Sequence, residues 1–198
     1  MIRSRRNREK RMKANCIETM ETQRLHIRRF KPEDWPDLFE YLSQPAVVRY
    51  EPYDVFTEEA SREAADRRSE DQRFWAVCLK DSQKLIGNLY LSEKSPGVWE
   101  LGYVFNASFH GNGYATEAAE ALVDSVFRTQ NAHRVEAGVD PLNTASWRLL
   151  ERLGLRREGH LRQNTCFKKD EAGQPIWADA FVYGILADEW LSRKLTQQ

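Results

Sequence analysis

Apolar residues recur at Ala115, Ala118, Ala119, Leu122, Val123, Val126 and Phe127, the i, i+3, i+4 spacing that lays one apolar stripe along an α-helix. The first half of the stripe is alanine alone, so the start of this helix can lie close against a sheet. Just ahead, residues 98–105 concentrate aromatic and β-branched side chains, a strand pattern. The same two periods parse the rest of the chain. Residues 24–30 alternate as an opening strand, and Pro32, followed by acids and spaced apolar residues as far as Leu42, starts a helix. Residues 45–57 read as a loop dense in Tyr50, Glu51, Pro52, Tyr53 and Phe56, after which Thr57, Glu58 and Glu59 open a second, charged helix. Residues 74–80 and 84–91 predict a hairpin turning at 81–83. A strand at 133–139, a helix from Asn143 to Gly154, and strands at 156–166 and 176–186 joined across 170–175 complete the pattern. No internal repeat interrupts it.

Between the strand at 98–105 and its helix stands a turn, His110, Gly111, Asn112, Gly113, Tyr114, Ala115 and Thr116. Its glycines admit positive φ and close backbone approach, and a helix start beside them offers unpaired N–H groups and a positive dipole end. The combination implies an anionic ligand. A dinucleotide fingerprint needs glycine or alanine where Thr116 stands, and a P-loop needs Gly-Lys-Ser/Thr, which is absent.

The strand Glu100, Leu101, Gly102, Tyr103, Val104 followed by this turn resembles the GNAT superfamily of acyl-CoA-dependent N-acyltransferases. That family's pyrophosphate loop runs Gln/Arg-x-x-Gly-x-Gly/Ala. Here Gly113 and Ala115 match, and His110 replaces the usual Gln or Arg. A second motif, Asn143-x-x-Ser146 leading to Gly154, Glu158 and Gly159, is similar to the ribosomal-protein N-terminal acetyltransferase (RimJ/RimL-like) branch. The resemblance runs from about residue 22 to about residue 190 and includes Trp177, Asp179, Tyr183 and Trp190. It implies a single α/β (α+β) domain, a mixed central sheet of about seven strands flanked by about four helices. It also implies acetyl-CoA as co-substrate, bound by Tyr103, Val104, Phe105, the turn from His110 through Gly111, Asn112, Gly113, Tyr114 and Ala115 to Thr116, and by Asn143, Ser146 and Arg152. Asn143 and Ser146 would contact the pantetheine arm, with Ser146 a candidate general acid.

A reaction of this type is direct attack of a neutral amine on a thioester, so the acceptor's pKa decides how much base is needed. An α-amine of pKa about 8 is roughly a tenth neutral at pH 7, whereas a lysine of pKa about 10.4 is neutral to only a few parts in ten thousand. Alternation turns Glu100 away from Trp99 and toward the Gly102 and Val104 side, where it is either a base acting through water or a solvent-facing strand residue. One branch of the family has a carboxylate base a few residues beyond the Glu158–Gly159 position, where this chain has Asn164, Thr165 and Cys166. Tyr50, Tyr53 and Trp75 are candidates for the acceptor site or for filling core gaps. Asn143 sits where an N-cap belongs, so a cap and a ligand contact compete there. His110 and His160 read as surface residues. The acceptor is a primary amine, on a peptide N-terminus, a ribosomal protein included, or on a small molecule. The alternative is a non-catalytic acyl-CoA-binding sensor.

Thirty basic and thirty acidic residues balance, but residues 1–13 hold seven Arg or Lys against Glu9 alone, so the body is mildly acidic. Residues 1–20 therefore read as a basic extension, a tether or a solvated tail, ahead of a domain at 21–193 and a tail at 194–198. The extension lacks the apolar stretch of a signal peptide or anchor. Neither membrane nor direct nucleic-acid binding is expected, and the chain reads as a monomer or homodimer. Cys16, Cys78 and Cys166 have no C-x-x-C spacing and the histidines do not cluster, which argues for a cytoplasmic protein without a metal site.

Overall fold

Parity along the strands decides which helices cover which face of the sheet. The computed structural model describes residues 18–196, and residues 1–17, with most of the basic extension, lie outside it. The chain opens with β1 (Thr19–Glu21) and β2 (Leu25–Arg28), then α1 (Trp35–Leu42), α2 (Pro45–Val48) and α3 (Glu58–Glu70). There follow β3 (Phe74–Leu79), β4 (Leu85–Ser95), β5 (Val98–Phe105), α4 (Tyr114–Thr129), β6 (Arg134–Val139) and α5 (Thr144–Leu153). β7 (Arg156–Lys169), β8 (Pro175–Leu186) and α6 (Ala187–Thr196) end it. The strands form one 8-stranded sheet in the order β1-β2-β3-β4-β5-β6-β8-β7, in which the β5–β6 pair is parallel and the others are antiparallel.

On β3, Trp75 and Val77 join Leu25, Ile27 and the α4 stripe in one core. Their neighbours Ala76 and Cys78 join Leu38, Tyr41 and Leu42 of α1 and Ala64 and Ala65 of α3 in a second core on the opposite face. Both faces of the central strands are thus dry, which is why β3 and β4 read as apolar runs rather than as alternations. α4 follows its sequence pattern: Ala118, Ala119, Leu122 and Val123 are 0% exposed. Each fully buried Leu or Val contributes about 1.5–3 kcal/mol, while the alanines contribute mainly closeness. Gly87 of β4 allows another tight approach, since a Cβ there would stand 2.5 Å from the Phe105 ring and 2.7 Å from the Val104 carbonyl.

Local signals hold as well. Thr57 caps α3, its Oγ1 accepting from Ala60 N at 3.1 Å, and Gly154 ends α5 at φ 89°. Three elements exceed the sequence reading. β1 takes in Thr19 and Met20, so the folded body begins before residue 21. Pro45 at the first helical position nucleates the short α2 inside the expected loop. α6 docks through Trp190, which is 2% exposed and donates to Asp124 Oδ1 at 3.1 Å.

Candidate active site

β5 and β6 pair only where Val98, Trp99 and Glu100 meet Arg134, Val135 and Glu136. Beyond Glu100 they part, while β5 keeps its register with β4 and β6 keeps its own with β8. The parting opens a cleft of about 1230 Å³, walled by residues 101–105 on one side and 137–139 on the other. A strand edge left open inside a sheet exposes backbone donors and acceptors that need partners.

At one end of the cleft lies the glycine turn. Gly111 and Gly113 stand at φ 80° and 81°, conformations that side chains with a Cβ resist. Gly113 is the N-cap of α4 and brings no capping side chain, so the first-turn N–H groups of Tyr114, Ala115 and Thr116 have no intrahelical acceptor. Those three residues and both glycines line the cleft. His110 also lines it, with its ring nitrogen 3.1 Å from the Phe105 carbonyl. Asn112, expected among the ligand contacts, is not part of the lining. Its amide folds back to the carbonyls of Phe109 and His110 at 3.3 and 3.2 Å, because a side chain between two positive-φ glycines can satisfy local acceptors first.

Sequence reasoning missed what braces this turn. Arg24 donates to the Asn112 carbonyl at 2.9 Å and to Glu117 Oε2 at 2.7 Å, and its guanidinium lies 4.5 Å from the centre of the Tyr114 ring. Burial works against ionising Glu117, but bonds from Thr22, the Arg24 N–H and the Arg24 guanidinium outweigh it and hold the carboxyl below the usual range. The partners lie 93 residues apart, so no local pattern announces them.

The middle of the cleft carries hydroxyls. Asn143 caps α5, its Oδ1 accepting from Ser146 N at 3.2 Å, and it also lines the cleft, so cap and wall coincide. Tyr103 OH lies 2.9 Å from Ser146 Oγ and donates to the Ser146 carbonyl at 2.9 Å. Either hydroxyl can be the donor between them, so the phenol can turn its proton to Ser146 Oγ and leave the serine proton free for a partner in the cleft. Burial pushes the phenol's pKa up, so the pair is a relay of neutral hydroxyls. Val104 and Phe105 add apolar wall, and Arg152 reaches in beside Thr116, with Nε 3.4 Å from its Oγ1.

The other end is bounded by the segment after α2 and by β7 and β8. Tyr50 lines it and donates to the Leu142 carbonyl at 3.2 Å. Tyr53 is not part of the lining; it packs edge-on to Phe56 at 5.2 Å. Trp75 is a correction: it is 5% exposed in the core beneath α4, with the Arg29 guanidinium 3.5 Å from its ring centre. The reason is parity, since Ala76 and Cys78 face the side that carries the 50s segment and Trp75 faces the other. Glu100 lines the cleft at the point of parting, with Lys94 Nζ at 3.6 Å. Asn164 and Thr165 contribute neutral polar groups from β7. His160 lies outside the lining and holds Asp179 at 2.7 Å.

Glu51 was passed over as a site residue, although a lone acid between Tyr50 and Tyr53 was a signal. It lines the cleft, and burial pushes its carboxyl up to about 7. Among the described residues no three of His, Cys, Asp or Glu gather closely enough to hold a metal, and no helix is long and apolar enough to cross a membrane.

Comparison with known proteins matches this geometry. Residues 24–156 fit the family described as the acetyltransferase (GNAT) domain. A Bacillus subtilis protein named as the uncharacterized N-acetyltransferase YnaD is 36% identical over 174 residues, covering 85% of this chain and 97% of the relative. A crystal structure of a GNAT-family acetyltransferase from Bacillus anthracis superposes with a TM-score of 0.78 at 34% identity, covering 86% of this chain and 99% of that one. The Escherichia coli [ribosomal protein uS5]-alanine N-acetyltransferase is 30% identical over 113 residues, 56% of this chain and 55% of the relative.

Proposed function

Since the chain belongs to the GNAT acetyltransferase family and is an N-acetyltransferase, we propose that it moves the acetyl group of acetyl-CoA to a primary amine, on a peptide N-terminus or a small molecule. The observation that carries the reading is the continuity of one cleft, from an anion-binding turn, past a parted strand edge, to a paired serine and tyrosine. The residues suit the co-substrate. The open N–H groups of Tyr114, Ala115 and Thr116 and the dipole of α4 fit a pyrophosphate, and the free edge of β5 with Asn143 fits the amide-bearing pantetheine arm. Acetyl-CoA supplies an acyl group already activated as a thioester.

In this reading Ser146 Oγ, backed by Tyr103, donates to the departing sulfur. A thiol of pKa about 8.5 leaves readily, so the help required is modest. Holding amine and thioester together supplies much of the acceleration. The relative that acetylates a ribosomal-protein alanine supports an α-amine as the acceptor class. The free thiols Cys78 and Cys166 suit a cytoplasmic setting.

CoA release is the direct test, with peptides bearing a free α-amine and an internal lysine, polyamines and aminoglycosides as acceptors, followed by mass spectrometry of the product. We expect acetyl at the α-amine at pH 7. Predominant lysine acetylation would overturn the α-amine preference, and tight CoA binding with no product from any amine would leave an acyl-CoA-binding module.

A further inference from the structure

Five acidic residues line the cleft: Glu51, Glu100, Glu136, Asp140 and Asp179. Four are engaged. Glu100 and Glu136 face Lys94 at 3.6 and 2.9 Å, and Glu136 also meets Arg134 at 3.1 Å. Asp140 accepts from Leu142 N at 2.8 Å. Asp179 accepts from Gln163 N at 2.8 Å and meets His160 at 2.7 Å. Glu51, among the described residues, has no ion pair within salt-bridge distance; Tyr53, Arg68 and Lys168 lower its pKa by less than burial raises it.

Its position is fixed from both sides. Glu51 N donates to the Val48 carbonyl at 3.0 Å, closing α2. On one flank Tyr50 is pinned across the cleft to Leu142, just before Asn143. On the other, Lys168 of β7 donates to the Tyr53 carbonyl at 2.6 Å and to Asp54 at 2.8 Å. The carboxylate lies between these pins and lines the same cleft as Ser146 and Tyr103.

We propose that Glu51 receives the ammonium group of the acceptor and takes its proton. The proposal rests on the acetyl-transfer reading above. In the step, the Glu51 carboxylate removes one proton from R–NH3+, giving R–NH2 and a neutral carboxyl. The amine nitrogen then forms the C–N bond to the acetyl carbon as the C–S bond breaks. The second proton shed by nitrogen leaves with the sulfur as CoA thiol through the Ser146 hydroxyl, and Glu51 later returns its own proton to water. Overall, R–NH3+ and acetyl-CoA give the N-acetyl amide, CoA thiol and one proton.

Burial places the carboxyl at about 7, which matches a base to its task. A base of that strength removes a proton from an α-amine of pKa about 8 against a roughly tenfold bias, but from a lysine of pKa about 10.4 against a bias above roughly a thousandfold. A carboxylate of ordinary pKa, about 4.3, would face roughly a further few hundredfold in each case.

The test compares the full-length wild type with Glu51→Gln and Glu51→Asp, using acetyl-CoA and a short peptide with a free α-amine. Readouts are kcat from pH 5.5 to 9, CoA affinity by calorimetry, and melting temperature. In the wild type kcat should rise with an inflection near the Glu51 value. Glu51→Gln should lose roughly a hundredfold in kcat, lose that inflection and keep its CoA affinity. Glu51→Asp should recover part of the rate with a shifted inflection. A Gln variant that keeps the wild-type rate and inflection overturns Glu51 alone, as does an Asp variant no faster than Gln in folded, CoA-binding protein. A wild type that acetylates no amine overturns the acetyl-transfer reading and the role of Glu51 with it.

Discussion

Ser146 and Tyr103 should behave as one unit in kinetics, because the two hydroxyls hydrogen-bond each other. Ser146→Ala is expected to lower kcat by about tenfold to a hundredfold with CoA affinity nearly unchanged. Tyr103→Phe should fall in the same range. The double variant should be little worse than either single one, a coupling that a double-mutant cycle on kcat measures directly. Additive losses would mean that the two act separately. At this scale the sequence was legible where a residue's task is tied to a local motif. Asn143 and Ser146 line the cleft at the start of α5, and the pantetheine contacts that the family resemblance implies for them belong to the proposed function. Trp75 was misplaced because aromatic character says nothing about parity, and one residue either way exchanges the acceptor side for the core under α4. Glu51 escaped notice because an acid in a loop carries no period from which its burial could be read.

The element on which the site depends most is α4. Ala118 and Ala119 are fully buried, so the helix rests against the sheet with no room for a larger side chain, and the turn at its head inherits that placement. Ala119→Leu should cost about 1–3 kcal/mol and, by lifting the first turns of the helix, weaken CoA binding as well. Leu122→Ala, further along the same helix, should cost about 2–5 kcal/mol with less effect on affinity per kcal/mol lost. Paired melting and calorimetric titrations separate these outcomes, and equal affinity losses per kcal/mol would show that the alanine contact does not place the turn. Helices and strands with strong periods were readable in advance. β1 was not, since three residues carry no period; its ordering comes from pairing with β2 and from the Thr22 and Arg24 contacts to Glu117.

For the whole molecule, the most consequential feature is the sheet that pairs across β5 and β6 for three residues and then divides. No residue pattern predicted where the strands separate, because the separation depends on what lies above and below each strand rather than on either strand alone. In the proposed function the pantetheine arm occupies that division and supplies hydrogen bonds that a neighbouring strand would otherwise make. A ligand present at about a hundred times its dissociation constant stabilises the folded state by about 2.7 kcal/mol, so CoA should raise the melting temperature by several degrees. It should also slow amide hydrogen exchange at residues 101–105 more than on β3. Uniform protection across the sheet would argue against the arm lying in the division. On that proposal the polypeptide is an unfinished sheet whose last strand is borrowed from metabolism. Its resistance to proteolysis should then rise and fall with the supply of the molecule it consumes, so that a shortage of donor shortens the life of the protein as well as slowing its turnover.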